Sequence, residues 1–296
     1  MFIKSAIVAA FAVFLVWLML PVTQFSGDHG EIIRGQNVIV TGASQGIGKA
    51  LAFEYAKRGA AQIVITSRSE VKLTAVKDEI NLLYPNATIH VVPADLSSEE
   101  NSKAFVVAAL TALNQTLDVL VLNHILPSPY GYWLKSPQDH SVLSQLFHTN
   151  TFSHIWVATA IVEALAPRGW MIQIGVVNSL ASQMGVAKSA PYSASKHALY
   201  GFFNAFRAEL SILGIHNVVI TQCMVGTTDT EGAAVAKNEM KNVHWDAPEV
   251  TATGIARGIA FQKREIYQPH DFIYPALKLY QLAPWAMEEI FKSMLV

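Results

Sequence analysis

From Asn37 onward the chain alternates between short runs of apolar, largely β-branched residues and longer stretches whose apolar positions recur every three or four residues. The short runs at 37–42 (NVIVTG), 62–67 (QIVITS), 88–92 (TIHVV), 118–123 (DVLVLN), 171–177 and 217–223 (NVVITQC) predict strands. Helical periodicity covers 47–58, 71–83, 97–113, 141–165 and 192–213, and Ser97 and Glu100 stand in capping-box spacing at the head of the third of these. The strands are apolar almost throughout rather than alternating, so both their faces are buried. Strand–helix alternation of this kind predicts an α/β fold: a Rossmann-type doubly wound parallel sheet of about seven strands with helices on both faces. Gly175, inside the fifth strand, suggests a bulge that re-aims the residues after it.

One stretch departs from this rhythm. Residues 5–22 (SAIVAAFAVFLVWLMLPV) carry no charge and as a helix would span roughly 27 Å, close to a bilayer core. Lys4 before the run gives a positive-inside bias, so the expectation is a transmembrane signal anchor over 1–25 with the rest of the chain on the far side of the membrane. The alternative is a cleaved signal peptide, against which stands the absence of a small-x-small site before Gln24. Two sequons, at Asn86 and Asn114, suit a far-side, glycoprotein location. No linker or repeat divides the remainder, which reads as one domain over 34–270 followed by a segment, 271–296, broken by Pro275 and Pro284. That segment is a candidate pocket cover, dimer contact or membrane contact.

Composition narrows the picture further. A formal net charge of −1 gives no electrostatic footprint for nucleic acid. The single cysteine, Cys223, excludes an internal disulfide and reads as a buried, inert thiol. The histidines form no metal-ligand spacing, and His140, His148 and His154 read as helix surface, so no metal is expected.

The chemistry sits where strands end. After the first strand, VTGASQGIGKA places Gly42, Gly46 and Gly48 with Ser44, Gln45 and Ile47 between a strand and a helix, where a backbone can approach a pyrophosphate at a helix N-terminus. The second strand ends in Arg68 and Ser69 where an acidic residue would bind an unphosphorylated ribose; a guanidinium suits a 2′-phosphate, so NADP(H) is expected over NAD(H). Asp95, beside Leu96, could accept from an adenine amine or cap the next helix. Tyr192 and Lys196 lie four apart on one helix face, where an ammonium could stabilise a phenolate, and Ser179 stands thirteen residues upstream at the carboxyl edge of the sheet. The fourth strand ends on Asn123-His124; with acid/base groups already supplied, Asn123 is expected to fix the turn beside the cofactor ribose and His124 to be structural.

With TGASQGIG, NHI, Asn150 in HTNTF, Ser179 and YSASK in this order, the chain resembles the short-chain dehydrogenase/reductase family over about residues 34–267. The further set LNHI, YSASKHALYGFF and GTTDTE is similar to its anchored 11β-hydroxysteroid dehydrogenase type 1-like branch. The resemblance implies that Tyr192 is the general acid/base, that Lys196 lowers its pKa and holds the nicotinamide ribose, that Ser179 orients the substrate oxygen, and that Asn150 holds a proton-relaying water. It makes Thr227 and Thr230 ligands of the nicotinamide amide and the phosphates; their alternative role is to cap the next helix. It further implies an NADP(H)-dependent oxidoreductase acting between hydroxyl and carbonyl on a lipophilic substrate such as a steroid, as a homodimer in the endoplasmic reticulum membrane with the catalytic domain luminal. Retinoids and fatty aldehydes are alternative substrates, and a non-catalytic lipid-binding protein is the alternative of another class. Three departures from the branch pattern matter. Gln45 stands where that branch has a basic residue, which shifts the burden of NADP selectivity to Arg68. Ser182 replaces a glycine, and 184–191 brings the polar Lys188 and Ser189 to the expected pocket mouth.

Overall fold

The computed structural model describes residues 29–135, 140–240 and 243–295. The expected anchor over 1–25 lies outside them; among the described residues no helix is long and apolar enough to cross a membrane. The elements that build the domain are β1 (Asn37–Thr41), α1 (Gly46–Lys57), β2 (Gln62–Thr66), α2 (Glu70–Leu83), β3 (Thr88–Val91), α3 (Glu99–Ala112) and β4 (Val119–Leu122). There follow α4 (His140–Phe147), a π turn (His148–Phe152), α5 (Ser153–Leu165), β5 (Ile172–Ser179), α6 (Ala190–Ile212) and β6 (Val218–Val225). The chain closes with α7 (Ala234–Glu239), α8 (Pro248–Ala260), β7 (Glu265–Gln268), α9 (His270–Leu282) and α10 (Pro284–Leu295).

The seven strands form one parallel sheet in the order β3-β2-β1-β4-β5-β6-β7. Strand order reverses between β1 and β4, and the crevice outside their carboxyl ends is where such sheets bind ligands. The pleat divides the core into two. Val38, Val40, Ile63 and Ile65 face α1, α2 and α8 through Leu51, Leu73, Ile80 and Ile255. Ile39, Val64, Leu120 and Leu122 face α3, α5 and α6 through Phe105, Ile161 and Phe203. Both faces of each central strand are thus dry, as the uninterrupted apolar runs require. A smaller cluster of Met184, Met224, Ile273, Leu277 and Met287 packs α9 and α10 onto the β6 side of the crevice. Cys223 lies within β6, wholly buried, and burial pushes its thiol far up.

Four expectations need correction. β5 carries no bulge at Gly175: its pairing runs without interruption against β4 and β6. The glycine instead admits α8, since a Cβ there would lie 2.1 Å from Ile259 Cδ1. The cap of α3 is Ser98, whose hydroxyl accepts from Asn101 N at 3.2 Å, and not Ser97, whose own N–H is taken by Asp95 Oδ1 at 3.1 Å. The helix expected over 141–165 is interrupted by the π turn at His148–Phe152. His154 is not on the helix surface; it is fully buried, its ring stacked 4.0 Å from that of His124. Periodicity could not separate these cases, because a helix buried against both a sheet and a neighbouring loop shows apolar and small polar residues alike on its inner face.

Candidate active site

The loop after β1 turns sharply on Gly42 (φ 68°) and Gly46 (φ 57°), a left-handed backbone that glycine adopts at least cost. It is pressed against β4's exit: a Cβ on Gly42 would lie 2.7 Å from His124 Cα, and one on Gly48 would lie 2.1 Å from Gly42 O. Asn123 fastens the two edges together, its Nδ2 donating to Thr41 O at 3.1 Å and Gly42 O at 3.4 Å. Asn123 thereby ties the phosphate-loop turn to the end of β4.

This turn forms one wall of a cleft of about 720 Å³ that also takes in Ser44, Gln45, Ile47, Arg68, Ser69, Asp95, Leu96, Asn123 and Thr230. One wall thus gathers the expected phosphate-loop, ribose and adenine residues from the ends of β1 to β4 and the loop after β6. Gly48 is the exception among the loop residues: it is buried beneath the turn and allows the close packing rather than lining the cleft. The same cleft exposes Lys72 and Ser144, which the sequence reading did not single out, and His148, which it read as helix surface. Lys72 was detectable as a cation four residues beyond Arg68; Ser144 carried no signal, and His148 none that pointed to a cleft.

Beyond Asn123 and Thr230, which border both spaces, lies a second cavity of about 370 Å³. Its walls are mostly apolar, with Ile125, Tyr130, Leu180, Val235, Trp245 and Met287 among them, and Ser179, Tyr192, Lys196 and Thr227 line it too. Thr227 Oγ1 donates to His244 O at 2.5 Å, which holds the post-β6 loop in place. Thr230 occupies the N-cap position of the short turn that follows but makes no capping bond, leaving its side chain against Gly46.

Ser179 is the last residue of β5, its N–H held by Asn178 Oδ1 at 3.0 Å and its hydroxyl accepting from Ala181 N at 3.1 Å. Ser182, in place of a glycine, donates to Ser179 O at 2.6 Å and tightens the same turn. Lys196 is buried, its Nζ donating to Val177 O at 3.0 Å and lying 5.9 Å from the centre of the Tyr192 ring. Burial pushes the Lys196 ammonium down to about 7 and the Tyr192 phenol up, a hydrogen bond with Ser179 offsetting part of the latter. The net direction at Tyr192 is opposite to the expected lowering by Lys196: removal from water sets it, and the phenol keeps its proton at neutral pH.

Asn150 sits in the π turn, buried, with Oδ1 accepting from Leu126 N at 2.6 Å and Nδ2 donating to Leu126 O at 3.1 Å. The turn is tied to α6 by Thr151 Oγ1, which donates to Ser195 O at 2.9 Å, one residue before Lys196. On its other side, His124 bonds Ser153 Oγ through Nε2 at 2.6 Å and Thr41 Oγ1 through Nδ1 at 2.9 Å. Each of these hydroxyls also has a backbone carbonyl as acceptor, Val121 O at 3.1 Å for Thr41 and Thr149 O at 2.6 Å for Ser153. Burial and the neighbouring Lys196 push His124 down to about 3, so the ring is neutral, with one nitrogen donating and the other accepting. His124 thus joins β1, the end of β4 and α5. Among the described residues no three His, Cys, Asp or Glu side chains gather as a metal site.

The family model for short chain dehydrogenases matches residues 36–241, most of the domain just described. The chain belongs to the short chain dehydrogenase family. Its curated relatives include the hydroxysteroid 11-beta-dehydrogenase 1-like proteins of Gallus gallus, 36% identical over 86% of this chain and 85% of the relative, and of Xenopus tropicalis, 35% identical over 81% and 80%. Among solved structures, a short chain dehydrogenase/reductase from Burkholderia phymatum in complex with NAD superposes with a TM-score of 0.74 at 19% identity, over 84% of this chain and 94% of that one. A 3-oxoacyl (acyl-carrier-protein) reductase from Agrobacterium tumefaciens with NADP bound gives 0.68 at 20% identity, over 80% and 95%. Membership makes this chain an oxidoreductase, and the larger cleft has the residues and the close-approaching loop that fit a nicotinamide dinucleotide.

Proposed function

We propose that this dehydrogenase uses NADP(H) to interconvert a hydroxyl and a carbonyl on a lipophilic substrate of steroid type. The observation that carries the reading is the placement of Tyr192 and Ser179 on an apolar cavity that shares a wall with the dinucleotide cleft. A mostly apolar chamber of about 370 Å³ accepts a largely hydrocarbon body. Relatives named for hydroxysteroid dehydrogenation support the steroid class, and Arg68 and Ser69 at the end of β2, with no carboxylate there, support the phosphorylated cofactor. When bound, the dinucleotide supplies the hydride that reaches the carbonyl carbon, or takes it up in the reverse direction.

The chain's own residues manage the proton and the geometry. The Ser179 hydroxyl orients the substrate oxygen, and the neutral Tyr192 phenol gives that oxygen its proton as the carbon is reduced. Lys196 stabilises the resulting phenolate and holds the nicotinamide ribose, and Asn150 carries the water through which the phenol is reprotonated. Residues 5–22 anchor the chain in the endoplasmic reticulum membrane with the domain on the luminal side, and it works there as a homodimer; the uncharged run and the sequons at Asn86 and Asn114, both exposed on turns, support this placement.

The test is oxidation of NADPH and NADH by the purified full chain over a panel of steroid ketones, retinal and fatty aldehydes. A preference for NADPH and for a steroid is expected, with Tyr192→Phe removing turnover and sparing NADPH binding. Turnover unchanged in Tyr192→Phe would overturn the mechanism, and a preference for retinal or an aldehyde would overturn the steroid class.

A further inference from the structure

The phosphate loop lacks a cation where the similar branch has one: position 45 is Gln45. That leaves Arg68, exposed at the end of β2, as the only positive group the loop and strand end supply to a dianionic 2′-phosphate. The cleft holds a second cation that neither motif contains. Lys72, on the first turn of α2, lines the same cavity as Gln45, Arg68 and Ser69, and its Nζ donates to Gln45 Oε1 at 3.1 Å. The bond draws the ammonium across to the loop, between the two edges that flank the ribose end of the cleft.

The surroundings favour an anion there. Ser69 caps α2, accepting from Lys72 N at 3.4 Å, so Arg68, Ser69 and Lys72 are placed by one turn of backbone. Glu70, the acidic residue of that turn, does not line the cavity. Asp95, the acidic residue that does, has Oδ1 engaged by Ser97 N.

We propose that Lys72 supplies from helix α2 the second positive charge of the 2′-phosphate subsite, taking the place of the basic residue missing at position 45, and so sets the preference for NADP(H). Gln45 is its positioning partner: the amide oxygen holds the ammonium at the cleft and yields it to a phosphate oxygen. The inference rests on the NADP(H) reading above and adds a residue to it.

The experiment measures binding of NADPH and of NADH to the full chain by titration calorimetry, in the wild type and in Lys72→Gln, Lys72→Arg and the double variant Lys72→Gln/Gln45→Lys. Lys72→Gln is expected to weaken NADPH about tenfold, as loss of one charge-assisted phosphate contact does, and to leave NADH within about twofold. Lys72→Arg should retain the preference, and the double variant, which returns a cation from the loop side, should restore it. Equal weakening of both dinucleotides in Lys72→Gln would show a mere staple between α2 and the loop and overturn the proposal. So would unchanged NADPH affinity in a protein whose wild type prefers NADPH, which leaves the NADP(H) reading standing. A wild type with no preference for NADPH would overturn both.

Discussion

Lys188 Nζ lies 2.7 Å from Glu239 Oε2, joining the segment before α6 to the last residue of α7, next in sequence to Ser189 and Met240, which line the smaller cavity. The lysine stem is largely buried, with its ammonium 5.8 Å from the ring centre of Tyr130 and 5.1 Å from that of Tyr132, while Glu239 is about half exposed. The polarity that Lys188 appeared to bring to the pocket wall is thus spent on a latch, and the wall inside stays apolar. Lys188→Met and Glu239→Gln should each raise KM for a lipophilic substrate about two- to fivefold while kcat changes little, and the double variant should be no worse than either single one. Steady-state kinetics at low and high salt checks this; an effect on kcat alone would show that the pair acts on chemistry instead.

The raised pKa of Tyr192 gives the two reaction directions different pH profiles. Reduction uses the protonated phenol, which is the resting form through neutral pH, so its kcat/KM should be flat from about pH 6 to 8 as far as the tyrosine is concerned. Oxidation uses the phenolate, whose fraction grows about tenfold per pH unit below the phenol's pKa. Alcohol oxidation should therefore rise steadily with pH over the same interval. Profiles of both directions with one substrate pair decide the matter, and an oxidation rate independent of pH would remove Tyr192 as the base.

The buried pair His124 and His154 makes the fold sensitive to acid. Above pH 6.5 both rings are neutral folded or unfolded, and they add no pH dependence. Below it the unfolded chain takes up protons that the folded chain resists, down to about pH 3 for His124 and in the same direction for His154. Stability should fall as pH drops from 6.5, by up to about 1.4 kcal/mol per pH unit for each ring. His124→Ala should cost about 2–4 kcal/mol at pH 7, through a cavity and the loss of two buried hydrogen bonds, to Ser153 and Thr41, yet make the acid slope shallower. Urea melts at pH 7, 6 and 5 measure both; an unchanged slope would place the imidazole's titration elsewhere.

Two glycines with the same nominal clash should respond differently. Gly175→Ala drives a methyl into Ile259 Cδ1, the end of a flexible side chain, so Ile259→Val or Ile259→Ala in the same chain should recover most of the lost thermal stability. Gly48→Ala drives one into the Gly42 carbonyl, which is backbone and cannot retreat without moving the phosphate loop. Dinucleotide binding should be lost there even where the protein stays folded. Thermal melts with and without NADPH separate the two cases.

The strand series, the sheet's parallel sense and the gathering of Gly42, Arg68, Asp95, Asn123, Ser179 and Tyr192 at one edge were legible because each rests on local chemistry. Apolar runs report double burial, and strand ends in a wound sheet converge by topology alone. What was not legible depends on contacts between distant segments. Gly175 looked like a bulge because only the packing of Ile259 from α8 explains the missing side chain. His154 looked exposed because its burial comes from His124, thirty residues earlier. The upward displacement of Tyr192 depends on how deeply α6 sits against β5, and a four-residue spacing to Lys196 carries no information about that. Lys72 escaped notice because a lysine on a helix's first turn is ordinary until its neighbour across a cleft is known.

Cys223, sealed inside β6, makes the native molecule blind to thiol reagents. The turn bearing Asn86 leads into β3 and is therefore at the sheet edge opposite the ligand clefts. A cysteine introduced there would accept a single fluorophore or surface tether and leave substrate entry free. Left unmodified, Cys223 becomes a clock: its rate of alkylation in native buffer counts the openings of the central sheet, and any cofactor that clamps β1, β4 and β6 together should slow it.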